Sequence, residues 1–353
     1  MKFYATDERV ITEGRIFTDG NVKYLGWSGS RVTFKFSGTR ASVRVKSDAG
    51  AMDEHIYARV AVFLNNAEKP SEVVMLTDDE TTLVLFESKT CKTVTITLMK
   101  YSEAAFGYCG IEYFEIDGFL EKPDVRKRRK IEFIGDSITC GYGVEAENEL
   151  CDFRTDTENP TKSYSLKLAG ALDAEVNMVC WSGNGIISKW VEETATEPLT
   201  DDLMPVLYPY TDLSLCKRLY GDNEEKYEKW DFSSYVPELI IINLGTNDCS
   251  WCKDIPERKL EFKRLYVDFL AKVREYNPKA KIVSVFGTMD DRLTKEIEAA
   301  VEERKAADNN VFFIDLPMQD SADGMGANYH PSATTHRKTA EFLLAKLKDM
   351  NIV

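Results

Sequence analysis

The feature that most constrains this fold is a change of hydrophobic pattern near residue 120. Between about residues 24 and 117, short runs of β-branched and aromatic residues are broken by turn residues, and several runs alternate apolar with polar positions. This pattern predicts an all-β sandwich. Its strands are predicted at residues 31–36, 41–45, 57–64 and 93–98, with turns at Ser37-Gly38-Thr39 and Asn65-Asn66.

From residue 131 onward, short apolar runs alternate with amphipathic stretches of helical length. Runs that are apolar on both faces are typical of a parallel sheet covered by helices, so this part is predicted to be an α/β domain. We divide the chain into a β-sandwich domain, a linker and an α/β domain, at residues 1–122, 123–130 and 131–353. The α/β strands are predicted at residues 131–134, 176–180, 239–244, 281–286 and 311–315, and the helices at about 162–172, 257–276, 293–305 and 334–348.

The charge balance and the cysteines restrict the partners and the compartment. Acidic residues number 59 against 45 basic ones, a net charge of −14, which disfavours nucleic acid as a partner. The basic cluster at residues 126–130 is interpreted as a solvated connector, with a polyanion patch as the alternative. Without a secretory leader or a long apolar run, the chain is expected to be cytoplasmic and not to bind membranes, and its eight scattered cysteines fit reduced thiols there. Cys249 and Cys252 have metal-ligand spacing but lack companion ligands, so no metal or other cofactor is expected.

Three predicted strands of the α/β domain end in conspicuous polar loops. Ligands gather beyond the carboxyl ends of parallel strands, so these loops are expected to lie together. A serine at a strand-to-helix junction can act as a nucleophile, while neighbouring amides stabilise an oxyanion. The loops are Gly135-Asp136-Ser137, Trp181-Ser182-Gly183-Asn184-Gly185 and Gly245-Thr246-Asn247-Asp248.

A serine nucleophile needs a base, and the chain has only three histidines. His55 belongs to the β-rich part, and His336 falls on the predicted last helix, where a surface or packing role is expected. His330 lies in the loop just before that helix and is followed by a proline. We therefore expect His330 to take the proton of Ser137 and to return it to the leaving alcohol.

These four blocks, in this order, resemble the motif set of the SGNH (GDSL-type) hydrolases over about residues 131 to 353. The β-rich first domain, together with Trp230-Asp231-Phe232-Ser233 ahead of the third block, is more narrowly similar to carbohydrate esterase family 2. The resemblance implies an SGNH-type three-layer fold with a parallel sheet, preceded by an all-β jelly-roll domain. It also implies a serine esterase that removes O-acetyl groups from plant-polysaccharide sugars, including the primary 6-hydroxyl.

The resemblance also implies roles for individual residues. Ser137 is the nucleophile and His330 the base, and the oxyanion hole comprises the amides of Ser137 and Gly183 with the side chain of Asn247. Asp136 and Asp248 are interpreted as loop-fixing residues. The candidates for substrate contact are Asp136 and three aromatic residues whose rings could stack on sugars, Tyr329, Trp181 and Trp251.

The sequence departs from the family pattern beside the base. SGNH hydrolases usually place an aspartate three residues before the histidine, and many family 2 esterases place one two residues before it. This chain has Ala327 and Asn328 at those positions. We therefore expect a Ser137–His330 dyad in which Asn328 or a backbone carbonyl orients the ring, with Asp323 as the alternative orienting residue.

The leading prediction is a carbohydrate acetylesterase acting on imported oligosaccharides derived from acetylated mannan, glucomannan or xylan. A general short-chain or lysophospholipase-like SGNH esterase is the alternative enzyme. A third possibility is an inactive carbohydrate-binding protein. The sequence makes no prediction of oligomeric state.

Overall fold

The computed structural model describes residues 1–124 and 128–353. Residues 125–127, which include part of the predicted linker and of its basic cluster, lie outside the described residues. Two of the three described basic residues of the cluster are engaged locally. Arg128 donates to the carbonyl of Ala174 at 3.1 Å, and the Lys130 ammonium lies 4.8 Å from the centroid of the Tyr235 ring.

The chain forms two compact units, and the first is built on one antiparallel sheet. Its main path runs in the order β3-β4-β9-β5-β8-β6-β7, while β1 pairs with β9, and β2 and β10 pair with β5. The strands are β1 (Lys2–Tyr4), β2 (Ile11–Glu13), β3 (Phe17–Asp19), β4 (Val22–Leu25), β5 (Arg31–Lys46), β6 (Arg59–Leu64), β7 (Glu72–Met75), β8 (Glu80–Lys100), β9 (Cys109–Ile116) and β10 (Phe119–Glu121). The predicted all-β first domain is thereby confirmed, whereas its jelly-roll topology stays a prediction.

One predicted turn in this unit is wrong. Residues 31–46 form a single strand, β5, in which the pairing with β8 shifts register on both sides of Arg40. The carboxylate of Asp117 accepts hydrogen bonds from the amides of Thr39 and Arg40, at 2.7 and 3.0 Å, and so satisfies the backbone at this irregularity. The turn at Asn65-Asn66 is confirmed, since both residues have left-handed φ angles of 54° and 56°.

The alternation that predicted these strands also builds the core of the first unit. In β5, Val32, Phe34 and Phe36 are fully buried, and the residues between them are partly exposed. Successive side chains of a strand point to opposite faces, so one face of β5 supplies the core.

Two segments from the later part of the chain also belong to the first unit. They are Arg154–Glu158 and Thr211–Glu228. The Trp27 indole donates to the carbonyl of Thr211 at 2.7 Å, and Arg218 pairs with Asp48 at 2.7 Å. The structure thus divides the chain differently from the contiguous ranges predicted, because these segments pack against the β-strands.

The second unit contains a five-stranded, wholly parallel sheet in the order β12-β11-β13-β14-β15. Its strands are β11 (Arg129–Gly135), β12 (Ala174–Cys180), β13 (Leu239–Asn243), β14 (Lys281–Phe286) and β15 (Val311–Asp315). The helices are α1 (Ser137–Cys140), α2 (Tyr164–Ala171), α3 (Met204–Leu207), α4 (Leu213–Tyr220, in the first unit), α5 (Thr246–Cys252), α6 (Pro256–Tyr276), α7 (Thr294–Lys305) and α8 (Ala333–Asp349). No described helix is both long and apolar enough to cross a membrane.

Helices cover both faces of this sheet, as predicted. Ile131 and Phe133 share one buried cluster with residues of α2 and α8. Glu132 lies between them and therefore points to the opposite face, where its carboxylate accepts a hydrogen bond from Tyr208 at 2.6 Å. The Tyr208 ring in turn contacts Phe269 of α6, with 5.9 Å between centroids. The second unit therefore has three layers.

The strand order also predicts where a site should lie. Numbered by their order in the chain, the five strands lie in the sheet as 2-1-3-4-5. In such a sheet the connections leave strands 1 and 3 in opposite directions, and a crevice opens between the carboxyl ends of these two strands. Here these two strands are β11 and β13. The residues that follow them are Asp136 and Ser137 in one loop and Asn247 in the other.

Candidate active site

Ser137 lies at the junction of a central strand and a short helix. β11 ends at Gly135, and Ser137 is the first residue of α1. The extended Asp136 between them caps α1, because its carboxylate accepts a hydrogen bond from the amide of Ile138 at 3.0 Å. A strand and a helix therefore fix the position of Ser137 from both sides. Its side chain is 5% exposed.

His330 contacts Ser137 directly. Its Nε2 lies 2.9 Å from the hydroxyl oxygen of Ser137. Its Nδ1 lies 3.0 Å from the carbonyl oxygen of Ala327 and 3.1 Å from that of Asn328. Carbonyl oxygens only accept hydrogen bonds, so Nδ1 carries the proton and the unprotonated Nε2 faces the serine. This is the tautomer that a general base requires.

Burial lowers the pKa of His330 to about 4, against the smaller opposing effect of the two carbonyl contacts. The ring is therefore neutral at neutral pH and can accept a proton. His336, by contrast, is buried in α8, where its Nδ1 accepts a hydrogen bond from the amide of Tyr164 at 3.2 Å.

The two side chains proposed as orienting residues are engaged elsewhere. The amide oxygen of Asn328 accepts a hydrogen bond from the Tyr142 hydroxyl at 3.1 Å. Both carboxylate oxygens of Asp323 lie 2.7 Å from the ammonium of Lys338, which corrects the expectation that Asp323 orients the imidazole. The groups at Nδ1 of His330 are instead backbone carbonyls, which was the other alternative considered.

A rare backbone conformation presents these carbonyls. Asn328 and Tyr329 are consecutive non-glycine residues with left-handed φ angles of 50° and 60°. Such residues cost free energy and persist only where neighbouring contacts hold them. The amide of Ala327 donates to the carbonyl of Gly143 at 3.0 Å, and that of Asn328 donates to the carbonyl of Cys151 at 3.3 Å. The loop after the nucleophile thus supports the turn that carries the base.

The predicted oxyanion donors follow the neighbouring strands. Gly183 lies in the turn after β12 with a φ of 75°. Asn247 is in the first turn of α5, and its side-chain nitrogen donates to the carbonyl of Asn184 at 2.8 Å and to Asp136 at 3.3 Å. Among the residues that the structure describes, the amides of Ser137 and Gly183 have no hydrogen-bond acceptor.

Asp136 and Asp248 have the contacts of loop-fixing residues. One oxygen of Asp248 accepts hydrogen bonds from the amides of Ile186, Ile187 and Ser188, at 2.7 to 3.2 Å. Burial nevertheless raises the pKa of Asp248 to about 6. Asp136 is 0% exposed and offers no surface to a sugar. The prediction that it contacts substrate is therefore corrected.

The predicted aromatic candidates differ in exposure. Tyr329 is 56% exposed, Trp181 is half-buried and Trp251 is only 7% exposed. The guanidinium of Arg258 lies 3.5 Å from the centroid of the Trp251 ring, so this ring is covered and its predicted sugar contact is corrected.

Sequence reasoning missed two aromatic residues that contact predicted site residues. The amide of Trp190 donates to the carbonyl of Gly183 at 2.8 Å, and its side chain is 52% exposed. Tyr142 lies against His330 with 4.2 Å between ring centroids. Tyr142 follows Ser137 closely in the chain, and this proximity was the available sequence signal.

Comparisons with known proteins identify the family of the chain. The GDSL-like lipase/acylhydrolase family matches residues 133–338, and the carbohydrate esterase 2 N-terminal family matches residues 12–123. Cellulase/esterase CelE of Acetivibrio thermocellus is 33% identical over 348 residues, which are 96% of this chain but 39% of CelE. An acetylxylan esterase / glucomannan deacetylase of Cellvibrio japonicus is 28% identical over 351 residues, covering 98% of this chain and 90% of that protein.

A solved structure is also similar along the whole chain. It is a family two carbohydrate esterase from Clostridium thermocellum in complex with cellohexaose, which is 31% identical with a TM-score of 0.82. The alignment covers 98% of this chain and 100% of that one. The chain therefore belongs to the GDSL-like lipase/acylhydrolase family, in the group that carries the carbohydrate esterase 2 N-terminal domain.

Proposed function

We propose that the chain is a carboxylic ester hydrolase that removes O-acetyl groups from hemicellulose-derived oligosaccharides. The observation that carries this proposal is the 2.9 Å contact between Ser137 Oγ and the unprotonated nitrogen of His330. A serine hydroxyl and a neutral imidazole in this geometry form the minimal apparatus of acyl transfer.

The reaction follows from the positions of these groups. His330 takes the hydroxyl proton as Ser137 Oγ attacks the acetyl carbonyl carbon, and the carbonyl oxygen becomes an oxyanion. The amides of Ser137 and Gly183 and the side chain of Asn247 stabilise that oxyanion. The tetrahedral intermediate then expels the sugar alkoxide, which receives the proton from His330. Water, deprotonated by His330, hydrolyses the acetyl-serine and restores the free enzyme.

Asn247 fits the oxyanion role through an uneven pair of hydrogen bonds. Its contact with the Asn184 carbonyl, at 2.8 Å, fixes the side chain. Its contact with Asp136, at 3.3 Å, is longer and therefore weaker. We propose that the N–H directed to Asp136 turns to the oxyanion as negative charge develops.

Two lines of support favour an acetylated sugar as the substrate. The Cellvibrio relative is named an acetylxylan esterase / glucomannan deacetylase, and the Clostridium structure holds cellohexaose. In this chain, Tyr329 and Trp190 are more than half exposed beside His330 and Gly183 respectively, so each offers a ring face for sugar stacking. Mannan, glucomannan and xylan are all included in the proposal, with the 6-O-acetyl group among its targets.

The cytoplasmic location also belongs to this proposal. All eight cysteines are free, and four of the five in the second unit are buried. Free thiols in such number are typical of a reducing compartment.

The test is acetate release from acetylated manno- and xylo-oligosaccharides, compared with para-nitrophenyl acetate and a lysolipid. We expect kcat/KM to be highest for an oligosaccharide, and Ser137→Ala to lower kcat about 10⁴-fold or more. A preference for lysolipid would favour the lysophospholipase-like alternative. If the wild-type protein and Ser137→Ala both bound sugar and neither turned over any ester, the chain would instead be a carbohydrate-binding protein.

A further inference from the structure

Tyr142 makes two contacts with the structure around the base. Its ring lies 4.2 Å from the imidazole of His330, centroid to centroid, with 36° between the planes. Its hydroxyl donates to the side-chain oxygen of Asn328 at 3.1 Å. One side chain thus contacts the base itself and one of the two residues whose carbonyls face Nδ1.

The Tyr142 ring is itself held in place. It stacks on Phe153 with 3.8 Å between centroids and 13° between the planes. The residues around it are tied to the base loop through the backbone, because the carbonyls of Gly143 and Cys151 accept the amides of Ala327 and Asn328. Aromatic stacking and backbone hydrogen bonds therefore fix Tyr142 relative to His330.

This arrangement addresses the missing carboxylate. In a serine hydrolase triad, the carboxylate holds the imidazole in one orientation and stabilises the imidazolium that forms in the transition state. Two neutral carbonyls can hold the N–H, but they offer less charge stabilisation than a carboxylate. The face of a tyrosine ring carries partial negative charge and attracts cations within about 6 Å of its centroid. An imidazolium at His330 would lie within that range of Tyr142.

We propose that Tyr142 is a positioning residue that takes over part of the role of the absent carboxylate. Its ring holds the plane of the imidazole and stabilises the imidazolium, and its hydroxyl fixes the left-handed Asn328 whose carbonyl orients Nδ1. This inference rests on the proposed function, since it assigns the group that supports the base in ester hydrolysis.

The environment of His330 makes the inference measurable without turnover. Burial lowers the pKa of His330 to about 4, and the opposing causes among the described residues are the backbone carbonyls of Ala327 and Asn328. His336, which interacts electrostatically with His330, has a pKa that burial lowers to about 3. The chain has only three histidines, so each imidazole can be followed by NMR, with His330 assigned through a His330→Gln variant.

The decisive variants are Tyr142→Leu, which removes the ring, and Tyr142→Phe, which removes only the hydroxyl. We expect Tyr142→Leu to lower kcat about 10- to 100-fold with little change in KM, because the proposed role of Tyr142 is to support the base. The pKa of His330 in this variant should fall below the wild-type value of about 4, because leucine keeps the imidazole buried but no longer stabilises the imidazolium. Tyr142→Phe keeps the ring, so it should keep the wild-type pKa of His330 and lose kcat less than about 10-fold.

Tyr276→Leu is the matched control. Tyr276 stacks on Phe232 with 4.2 Å between centroids and 8° between the planes, at the last residue of α6. Tyr276→Leu also removes a stacked ring, so it should lower the free energy of unfolding as Tyr142→Leu does. It should not change kcat or the titration of His330. The inference is overturned if Tyr142→Leu matches Tyr276→Leu in kcat and leaves the His330 pKa near 4.

The two proposals fail in different ways. If wild-type protein releases no acetate from any ester, the proposed function fails, while the NMR titration still decides whether Tyr142 controls His330. If wild-type protein is active and Tyr142→Phe loses as much kcat as Tyr142→Leu with an unchanged titration, the role of the ring is refuted.

Discussion

Ser137 and His330 are 2.9 Å apart, yet different kinds of structure hold them. Ser137 follows β11, which pairs with strands on both sides, and it begins a helix capped by Asp136. His330 follows two left-handed residues in an irregular loop and precedes α8. The nucleophile is placed by a sheet, whereas the base is placed by loop contacts.

The difference shows how precision can be obtained without regular structure. The base loop donates its Ala327 amide to Gly143 and receives the hydroxyl of Tyr142 on Asn328. Both supporting residues lie in the segment that follows Ser137 along the chain. The base is therefore positioned relative to the nucleophile's own loop, so a small displacement of that segment would carry both groups together.

Among the residues that support the nucleophile, the largest effect is expected from Asn247→Ala. Removing one preorganised oxyanion donor lowers kcat about 10²- to 10³-fold. Because the oxyanion is common to all esters, the loss should be similar for an acetylated oligosaccharide and for para-nitrophenyl acetate. Steady-state kinetics on both substrates measure it. A loss of less than about threefold, or one confined to the oligosaccharide, would show that Asn247 acts elsewhere.

On the base side, Gly143→Ala is expected to lower kcat about 10-fold or more while leaving Ser137 in place. A Cβ at Gly143 would lie 2.6 Å from the Cβ of Ala327, and the φ of 58° disfavours any side chain. Gly324→Ala is the control, since it has a similar φ of 71° but meets nothing within 4 Å. Equal losses in kcat for the two variants would mean that backbone strain, and not displacement of the base loop, is responsible.

The smallest effect on rate is expected at Asp248, where pH-dependent stability is the informative measurement. Its pKa is about 6 in the folded protein against 3.8 as the reference value. Between these values the folded state holds a proton that the unfolded state has released. This group's contribution to the free energy of unfolding therefore falls as pH rises through the window, by about 3 kcal/mol in all.

Asp248→Asn should remove that dependence while changing kcat little, as measured by urea denaturation and by kinetics across the same pH window. Asp254→Asn, at a carboxylate that is 88% exposed, is the control. If the stability of wild-type protein and of Asp248→Asn changed in parallel with pH, the carboxylate would not be the titrating group.

The contrast between the two sides also explains what the sequence could predict. Ser137 was identifiable because a strand, a turn and a helix N-terminus leave local patterns in the chain. The five strands of the parallel sheet were located for the same reason, although β11 begins at Arg129, two residues earlier than expected. The orienting group at His330 was not identifiable as one residue, because a backbone carbonyl is present at every position and only the turn selects it.

Other differences have a similar cause. Residues 37–39 have the composition of a turn, but β5 continues to pair with β8 on both sides of them. The carboxylate of Asp117 accepts the hydrogen bond of the Thr39 amide at this point. Trp251 and Tyr329 are both aromatic residues next to site motifs, and only the packing of Arg258 distinguishes the covered ring from the exposed one. Tertiary contacts decided each case where the local pattern was ambiguous.

Residues 211–228 lie late in the chain but belong to the first unit, and this has a consequence for folding during synthesis. Residues from Met1 onward belong to that unit, but two of their partners are synthesised much later. Trp27 donates to the carbonyl of Thr211, and Asp48 pairs with Arg218. Synthesis must therefore reach Glu228 before the first unit can complete its contacts. Truncation after the first β-strands would leave that unit unfinished, because it would lack Arg154–Glu158 and Thr211–Glu228.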